Sequence, residues 1–334
     1  MSASAQLNGP ADGIAVEGLR KSYGDKVVLD GIDLKVSAGS VFALLGPNGS
    51  GKTTTVQILS TLIAADAGTV SVAGHSLADD PDGVRASIGV TGQFSAVDNL
   101  LTAEENMWLM ADLHHLSKVE GRRRAADLLA RFDLSDVAGK RATTFSGGMR
   151  RKLDLAMTLM GNPSVIFLDE PTTGLDPRSR RNLWEIIANL VSAGVTIFLT
   201  TQYLDEADRL ADRIAVLDGG KIVAQGTADE LKRRIPGGHI RLQFAGARQY
   251  QDAVSVLDQV ARDDEALALQ VPSDGSVSAL RDLLGRLDEA GIDVETLTVH
   301  IPDLDDVFFA LTGSRTVGSP SADGERDVAE EPTR

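Results

Sequence analysis

The sequence predicts an α/β fold with a mostly parallel sheet, an antiparallel β part and a helical insertion, followed by a small C-terminal α+β domain. Three observations carry that prediction. Aliphatic runs SVFALLG (40–46), TVSVAG (69–74), SVIFLDE (164–170) and VTIFLTT (195–201) alternate with helical patterns up to about Lys232. Near-continuous apolar strands between helices mark a parallel sheet buried on both faces. Residues 94–160 contain no convincing strand and read as the helical insertion. Residues 239–313 carry a separate pattern of short strands and amphipathic helices.

In chain order, residues 1–12 read as a flexible N-terminus with neither the basic nor the apolar region of a signal peptide. Residues 13–232 form the first domain. Within it, TAEENMWLMADLHHL opens on a capping box from Thr102 to Glu105, where each side chain satisfies the other residue's backbone N–H. TFSGGMRRKLDLA (144–156) has Ser146 as N-cap, then Met149, Leu153 and Ala156 at helical spacing. AVLDGGKIVAQG (215–226) is a hairpin with a Gly-Gly turn, placed at a sheet edge. Residues 236–313 form the accessory domain. HIRLQFA, ALALQV and DVETLTVH read as strands. Tyr250, Val254 and Leu257 make one helix face, and Val277, Leu280, Leu284 and Leu287 make another, ended by Gly291. With the helix DLDDVFFAL the order is βαβαβα. Residues 314–334 are polar and acidic and read as disordered. No internal repeat is visible.

Composition narrows the function. The chain has 334 residues, 43% of them hydrophobic and 4% aromatic, which fits about two ordinary globular domains. Its net charge of −15 argues against broad nucleic-acid binding. With no cysteine there is neither a disulfide nor a thiolate metal site. No apolar run approaches the roughly 20 residues needed to span a bilayer.

The chemistry starts at LLGPNGSGKTTT, which contains G-x-x-x-x-G-K-[ST] as Gly46, Gly51, Lys52 and Thr53. It follows an apolar strand and precedes a helix with Val56, Leu59 and Ile63 on its buried face, the context a phosphate loop requires. The loop runs Gly46, Pro47, Asn48, Gly49, Ser50, Gly51, Lys52, Thr53, Thr54. Backbone N–H groups of residues 48–53 cradle phosphates, Lys52 reaches the β- and γ-phosphates, and the Thr53 hydroxyl binds Mg²⁺. VIFLDEP then offers Asp169 and Glu170 at the end of a buried strand. Asp169 holds Mg²⁺ directly or through water. Glu170 remains free to take a proton from an attacking water.

The helix opening at Ser146-Gly147-Gly148 is a second anion site, because its first N–H groups stand bare. One phosphate loop binds one set of phosphates. The second site is therefore read as binding the ATP of a partner placed head to tail, which makes ATP the glue of a dimer. Alone, the same residues are simply a capped helix with a glycine start.

In order, the phosphate loop, Gln93, TFSGGM and FLDEPTTGLD resemble the ATP-binding-cassette ATPases over residues 13–232. The resemblance implies that Tyr23 stacks on adenine, and that Gln93 touches Mg²⁺ and the transporter's membrane subunit. It implies that Ser146, Gly147 and Gly148 are the signature, and that Asp176 lies on the loop crossing the dimer interface. The partner is a second identical or homologous cassette. Two departures stand out. Phe145 and Met149 flank the SGG, and Gln202 occupies the place of a γ-phosphate-sensing histidine, while the chain's five histidines lie elsewhere. An amide can hydrogen-bond a phosphate but cannot shuttle a proton, so base work falls on Glu170.

With FSGGMRRKLDLA, TTGLDPRSR, TTQYLDEAD and the closing IPDLDDVFFALTG, the chain resembles the daunorubicin/doxorubicin-resistance (DrrA-like) exporter ATPases over nearly its whole length. This implies a separate multi-helix membrane permease, export of a hydrophobic or amphipathic compound, and a peripheral position at the cytoplasmic face of the membrane. The contact is expected near Gln93 and residues 94–116, with Phe94, Leu100, Leu101, Met107 and Trp108. Lipid or glycan export, and a soluble cassette ATPase of DNA repair or translation, stay open as alternatives. A nucleotide-gated regulator without hydrolysis fits poorly with intact Lys52, Asp169 and Glu170. Arg150, Arg151 and Lys152 read as a solvated helix face, with contact to phosphate or a partner as the alternative.

Overall fold

The computed structural model describes residues 12–92, 95–234, 238–257, 260–300 and 303–313. Gln93, Phe94, residues 1–11 and residues 314–334 lie outside the described residues, and with them the expectations of a flexible N-terminus and a disordered tail.

The central layer is a six-stranded sheet. Its strands are β3 (Val41–Leu45), β6 (Ile88–Thr91), β7 (Val165–Asp169), β8 (Thr196–Thr201), β9 (Arg213–Asp218) and β10 (Lys221–Gly226). They lie in the order β10-β9-β3-β8-β7-β6, parallel except for β10, which closes the edge as the antiparallel arm of the Gly219-Gly220 hairpin. Strand alternation divides the core in two. Phe42 and Leu44 of β3 face one buried cluster while Val41, Ala43 and Leu45 face the other, because successive side chains point to opposite faces. The aromatic payload sits on the first face, where the Phe198 ring lies 5.5 Å from Phe42 and 5.7 Å from Phe167.

Covering that face is a second, antiparallel sheet of β1 (Asp12–Tyr23), β2 (Lys26–Ser37), β4 (Ala67–Val72) and β5 (His75–Ser76), ordered β2-β1-β4-β5. The helices α1 (Lys52–Leu59) and α2 (Pro81–Ser87) share its cluster. The two long strands β1 and β2 escape a periodicity reading because their pairing register shifts at four places, which breaks the period-2 signal. Helix α1 stops at Leu59, so Ile63 packs on the same cluster from beyond the helix end.

On the other face lie α3 (Ala103–Leu113), α4 (Lys118–Arg131), α5 (Gly147–Thr158), α6 (Pro177–Ser192), α7 (Leu204–Leu210) and α8 (Ala228–Lys232). The insertion between residues 95 and 160 contains helices and no named strand among the described residues. The Thr102–Glu105 capping box is formed at the start of α3. Met107, expected at a partner surface, is fully buried between helices, and Trp108 is partly buried under the guanidinium of Arg122. Leu100 is 74% exposed, with Leu109 and Leu113 also open to solvent.

A third sheet, entirely antiparallel, orders β12 (Ala261–Asp263), β13 (Ala268–Pro272), β11 (His239–Gln243) and β14 (Thr296–His300). Helices α9 (Ala247–Val256) and α10 (Val277–Glu289) pack on it. The buried stripe of α10 is Leu283 and Leu287, with Leu280 partly buried; Val277 is 72% exposed and Leu284 faces outward. Spacings of three and four fit a helical stripe equally well, and the position of the sheet selects among them. The last helix, α11 (Leu304–Thr312), contributes Leu304, Val307 and Phe308 to the cluster that holds Leu204 and Ala207 of α7 and Leu231 of α8. Its apolar face therefore docks on the first domain's helices. Among the described residues no helix is long and apolar enough to cross a membrane.

Candidate functional site

The carboxyl ends of β3, β7 and β8 meet side by side, with Leu45 paired to Thr201 and Asp169 to Thr200. In an open parallel sheet this is where loops converge on a ligand. The chain leaving β3 turns through Gly46–Gly51 into α1. Two of its glycines are required for different reasons. A Cβ on Gly46 would fall 2.4 Å from Leu217 O, so the backbone approach itself excludes a side chain. Gly51 has φ of +113° and would place a Cβ 2.6 Å from Leu29 Cδ2, a conformation and a contact that only glycine tolerates.

The residues present fit a polyphosphate. Helix α1 has Gly51 as its N-cap and no side-chain cap hydrogen bond, so its first N–H groups are oriented toward the loop with no partner from a side chain. Ser50 Oγ is buried without a hydrogen-bond partner. The Lys52 ammonium is buried, donates to Gly46 O at 2.8 Å and Pro47 O at 3.2 Å, and lies 3.7 Å from Glu170 Oε1. Burial pulls its pKa down, opposed by the charges of Glu170 and Asp169.

The donor set for a divalent cation is equally economical. Thr53 Oγ1 lies 3.5 Å from Asp169 Oδ1, which also accepts a short hydrogen bond from Thr200 Oγ1. No group of three or more His, Cys, Asp or Glu side chains forms an all-protein cage among the described residues. One hydroxyl and one carboxylate suit Mg²⁺, which takes its remaining ligands from phosphates and water.

Glu170 has φ of +47°, a left-handed conformation uncommon for a non-glycine residue. Its N–H donates to Thr200 O and Thr200 Oγ1, both at 3.1 Å, and its Oε2 accepts from Thr173 Oγ1 at 3.3 Å. The neighbouring strand thus holds the strained residue with its carboxylate against Lys52. Gln202 follows β8 directly and is half-buried at the same edge.

Other expected residues lie apart. Ser146 caps α5 by accepting from Met149 N at 3.2 Å, and Gly147 is exposed. A Cβ on Gly148 would fall 2.4 Å from Ser179 Oγ, so this glycine has a packing role as well. Asp176 accepts from Arg178 N and Ser179 N at 3.0 Å each and from Ser179 Oγ at 2.6 Å, capping α6. The SGG start and the Asp176 loop therefore lie next to each other at Ser179. Among the described residues, no hydrogen bond or ion pair joins Ser146, Gly147 or Gly148 to residues 46–54. Tyr23, at the end of β1, is half-exposed under Lys21.

The basic run after the signature is not a solvated face. Arg151 has a side chain only 11% exposed and donates to backbone carbonyls, Arg150 reaches Ala142 O, and Lys152 pairs with Asp133. The sequence offers one hint. Asp154 stands between Leu153 and Leu155, one helical turn from Arg151 and at ion-pair spacing from it.

Glu206 is a second buried group that periodicity missed. Its Oε1 accepts from Trp184 Nε1 at 3.2 Å. Burial pushes its carboxyl pKa up, opposed by the nearby Thr201 hydroxyl, the Trp184 indole, the Thr172 hydroxyl and the charge of Arg180. A folded-state pKa above the unfolded value gives stability that is present at low pH and lost as pH rises through the folded pKa. Glu206→Gln keeps the acceptor and removes that loss. The variant's melting temperature minus that of the native chain should therefore grow as pH is raised out of the ordinary carboxylate range. A difference that stays flat as pH rises would show that Glu206 titrates no differently in the fold.

Comparison with known proteins agrees with this geometry. The model of the family described as ABC transporter matches residues 29–173. A daunorubicin resistance ATP-binding protein of Streptomyces coeruleorubidus is 48% identical over 90% of this chain and 96% of its own length. The daunorubicin/doxorubicin resistance ATP-binding protein of Streptomyces peucetius is 44% identical over 91% of this chain and 93% of its own. The linearmycin resistance ATP-binding protein of Bacillus subtilis is 32% identical over 90% and 98%. Among solved structures, an ATP binding subunit of an ABC transporter superposes with a TM-score of 0.60 at 32% identity, covering 66% of this chain and 92% of that one. A dimeric, post-hydrolysis ATP-binding cassette bound to ADP and Pi superposes with a TM-score of 0.58 at 27% identity, covering 64% and 98%.

Proposed function

Because the chain belongs to the ABC transporter family as an ATP-hydrolysing subunit, we propose that it drives export of a hydrophobic or amphipathic antibiotic through a separate membrane permease. The observation that carries this reading is the meeting of Lys52, Asp169 and Glu170 at one sheet edge, with Glu170 3.7 Å from the Lys52 ammonium. The substrate class rests on relatives named for resistance to daunorubicin, doxorubicin and linearmycin.

In this reading the N–H groups of residues 48–53 and the Lys52 ammonium hold the β- and γ-phosphates of ATP. Tyr23 stacks on the adenine. Thr53, Asp169 and Gln93 would hold Mg²⁺, which when bound neutralises charge on the β- and γ-phosphate oxygens. A water attacks the γ-phosphorus and gives its proton to Glu170, while the β–γ bridging oxygen departs with ADP. Lys52 stabilises the charge that collects there. Gln202 orients the γ-phosphate by hydrogen bonding. Such positioning and charge stabilisation supply most of the catalysis in phosphoryl transfer.

The separation of the SGG helix start from the phosphate loop supports a head-to-tail dimer, identical or mixed, in which each ATP is clamped by residues 146–148 of the other cassette. Asp176 then lies at the interface. Transport through a bilayer needs helices of another polypeptide, so we place this chain peripherally at the cytoplasmic face. Leu100, exposed in the helical insertion, is a contact for that partner.

The test is co-expression with a candidate multi-helix membrane permease. Co-purification, ATPase activity altered by an anthracycline in lipid, and lower drug accumulation in cells are the expected results. No association and unchanged drug accumulation would favour a soluble cassette ATPase.

A further inference from the structure

One face of α5 is polar where a core-facing helix is normally apolar. Arg151, Asp154 and Thr158 recur at i, i+3 and i+7 and so share that face. Arg151 Nη1 donates to Gly92 O at 2.9 Å, Nε donates to Pro171 O at 3.0 Å, and Nη2 lies 3.5 Å from Asp169 O. The same guanidinium pairs with Asp154 Oδ2 at 3.5 Å, while Asp154 Oδ1 accepts from Ala96 N at 3.1 Å. One turn further, Thr158 Oγ1 meets Thr91 Oγ1 at 3.0 Å. Three pieces of chain are thereby tied to the helix that begins at Ser146: the end of β6, the residue Ala96 beyond it, and the end of β7 that carries Asp169 and Glu170.

We propose that Arg151 and Asp154 form a positioning clasp that fixes the Asp169–Glu170 strand end, and the chain at Gly92 and Ala96, relative to the SGG helix. Neither side chain touches the nucleotide. The clasp rests on the ATPase reading and adds a route by which engagement of one cassette's SGG start is felt at that cassette's own catalytic carboxylates. Three carbonyl acceptors in different directions call for the fixed fork of a guanidinium, which an ammonium cannot reproduce. A clasp of this kind acts on the geometry of the attacking water more than on nucleotide binding, since Arg151, held by Asp154, touches the carbonyl side of residues 169–171 and leaves Gly46–Thr53 alone.

Removing one partner alone would leave a buried charge unpaired, so the informative variants avoid that. Arg151→Lys keeps the charge opposite Asp154 and loses the fork. The double variant Arg151→Met with Asp154→Leu removes both charges together. Melting temperature, Mg-ATP affinity by titration calorimetry and steady-state ATP turnover are measured on the full chain with its membrane partner. A pair that serves only stability predicts turnover that follows the folded fraction. The clasp predicts native-like melting and ATP affinity within about threefold, with kcat lowered about tenfold or more, because small displacements of a positioned group cost that much. A folded variant of either kind with native kcat overturns the clasp while leaving the ATPase reading standing. A native chain that turns over no Mg-ATP sinks both.

Discussion

Glu170→Gln is expected to bind Mg-ATP normally and to hydrolyse it about 100-fold more slowly or worse, the usual scale for losing a general base. The substitution is close to isosteric. Its amide oxygen can still accept from Thr173, and the backbone N–H keeps its two contacts to Thr200. What disappears is the carboxylate proposed to take the proton. Asp169 stays bound to Thr200 beside Thr53, so the cation site survives. Binding without turnover should leave an ATP-bound dimer that persists in size-exclusion chromatography with light scattering, and that falls apart when Mg²⁺ is chelated. Turnover at the native rate would remove Glu170 from the role of base.

Lys52→Ala is expected to lower ATP affinity about ten- to a hundredfold. A hydrogen bond to a charged group contributes about 1.5–3 kcal/mol, and about 1.4 kcal/mol is a factor of ten in Kd. Among the described residues Lys52 is the cation that contacts the phosphate loop, held buried by the Gly46 and Pro47 carbonyls. Its pKa is lowered by burial, and the Glu170 and Asp169 charges oppose that loss. Truncation leaves the Glu170 carboxylate near the incoming phosphates without the ammonium beside it. Calorimetric titration in Mg²⁺ checks the affinity, and an unchanged melting profile separates a lost ligand contact from a lost fold. Undiminished ATP binding would refute the phosphate assignment.

The two variants probe the part of the molecule that was most legible. Gly46, Gly51, Lys52 and Thr53 are a contiguous string, so spacing alone reveals them, and the strand and helix on either side follow from hydrophobic pattern. Asp169 and Glu170 were readable for the same reason, as acids ending an apolar run. Gln202 stood out only through its place in a longer motif. The clasp was harder. Arg151 reads as an ordinary surface charge because its acceptors are backbone carbonyls at Gly92, Asp169 and Pro171, which have no sequence signature. Glu206 escaped notice for a similar reason, since its donor Trp184 lies on another helix.

By itself the sequence determined the local chemistry of this protein. It set the alternation that makes β3 two-faced, the glycines at Gly46 and Gly51, the caps at Thr102 and Ser146, and the order of the motifs. Those features depend on backbone sterics and on neighbours a few residues away, which a linear pattern records. The tertiary structure alone decided which amphipathic faces met which. It buried Met107 while leaving Leu100 in solvent, chose Leu283 over Leu284 on α10, and docked α11 onto α7 and α8. It also drew the Arg151 guanidinium inward to three carbonyls. Each of these outcomes depends on surface supplied by residues distant in the chain, where several partners satisfy the same hydrophobic periodicity and close packing of the assembled fold selects one.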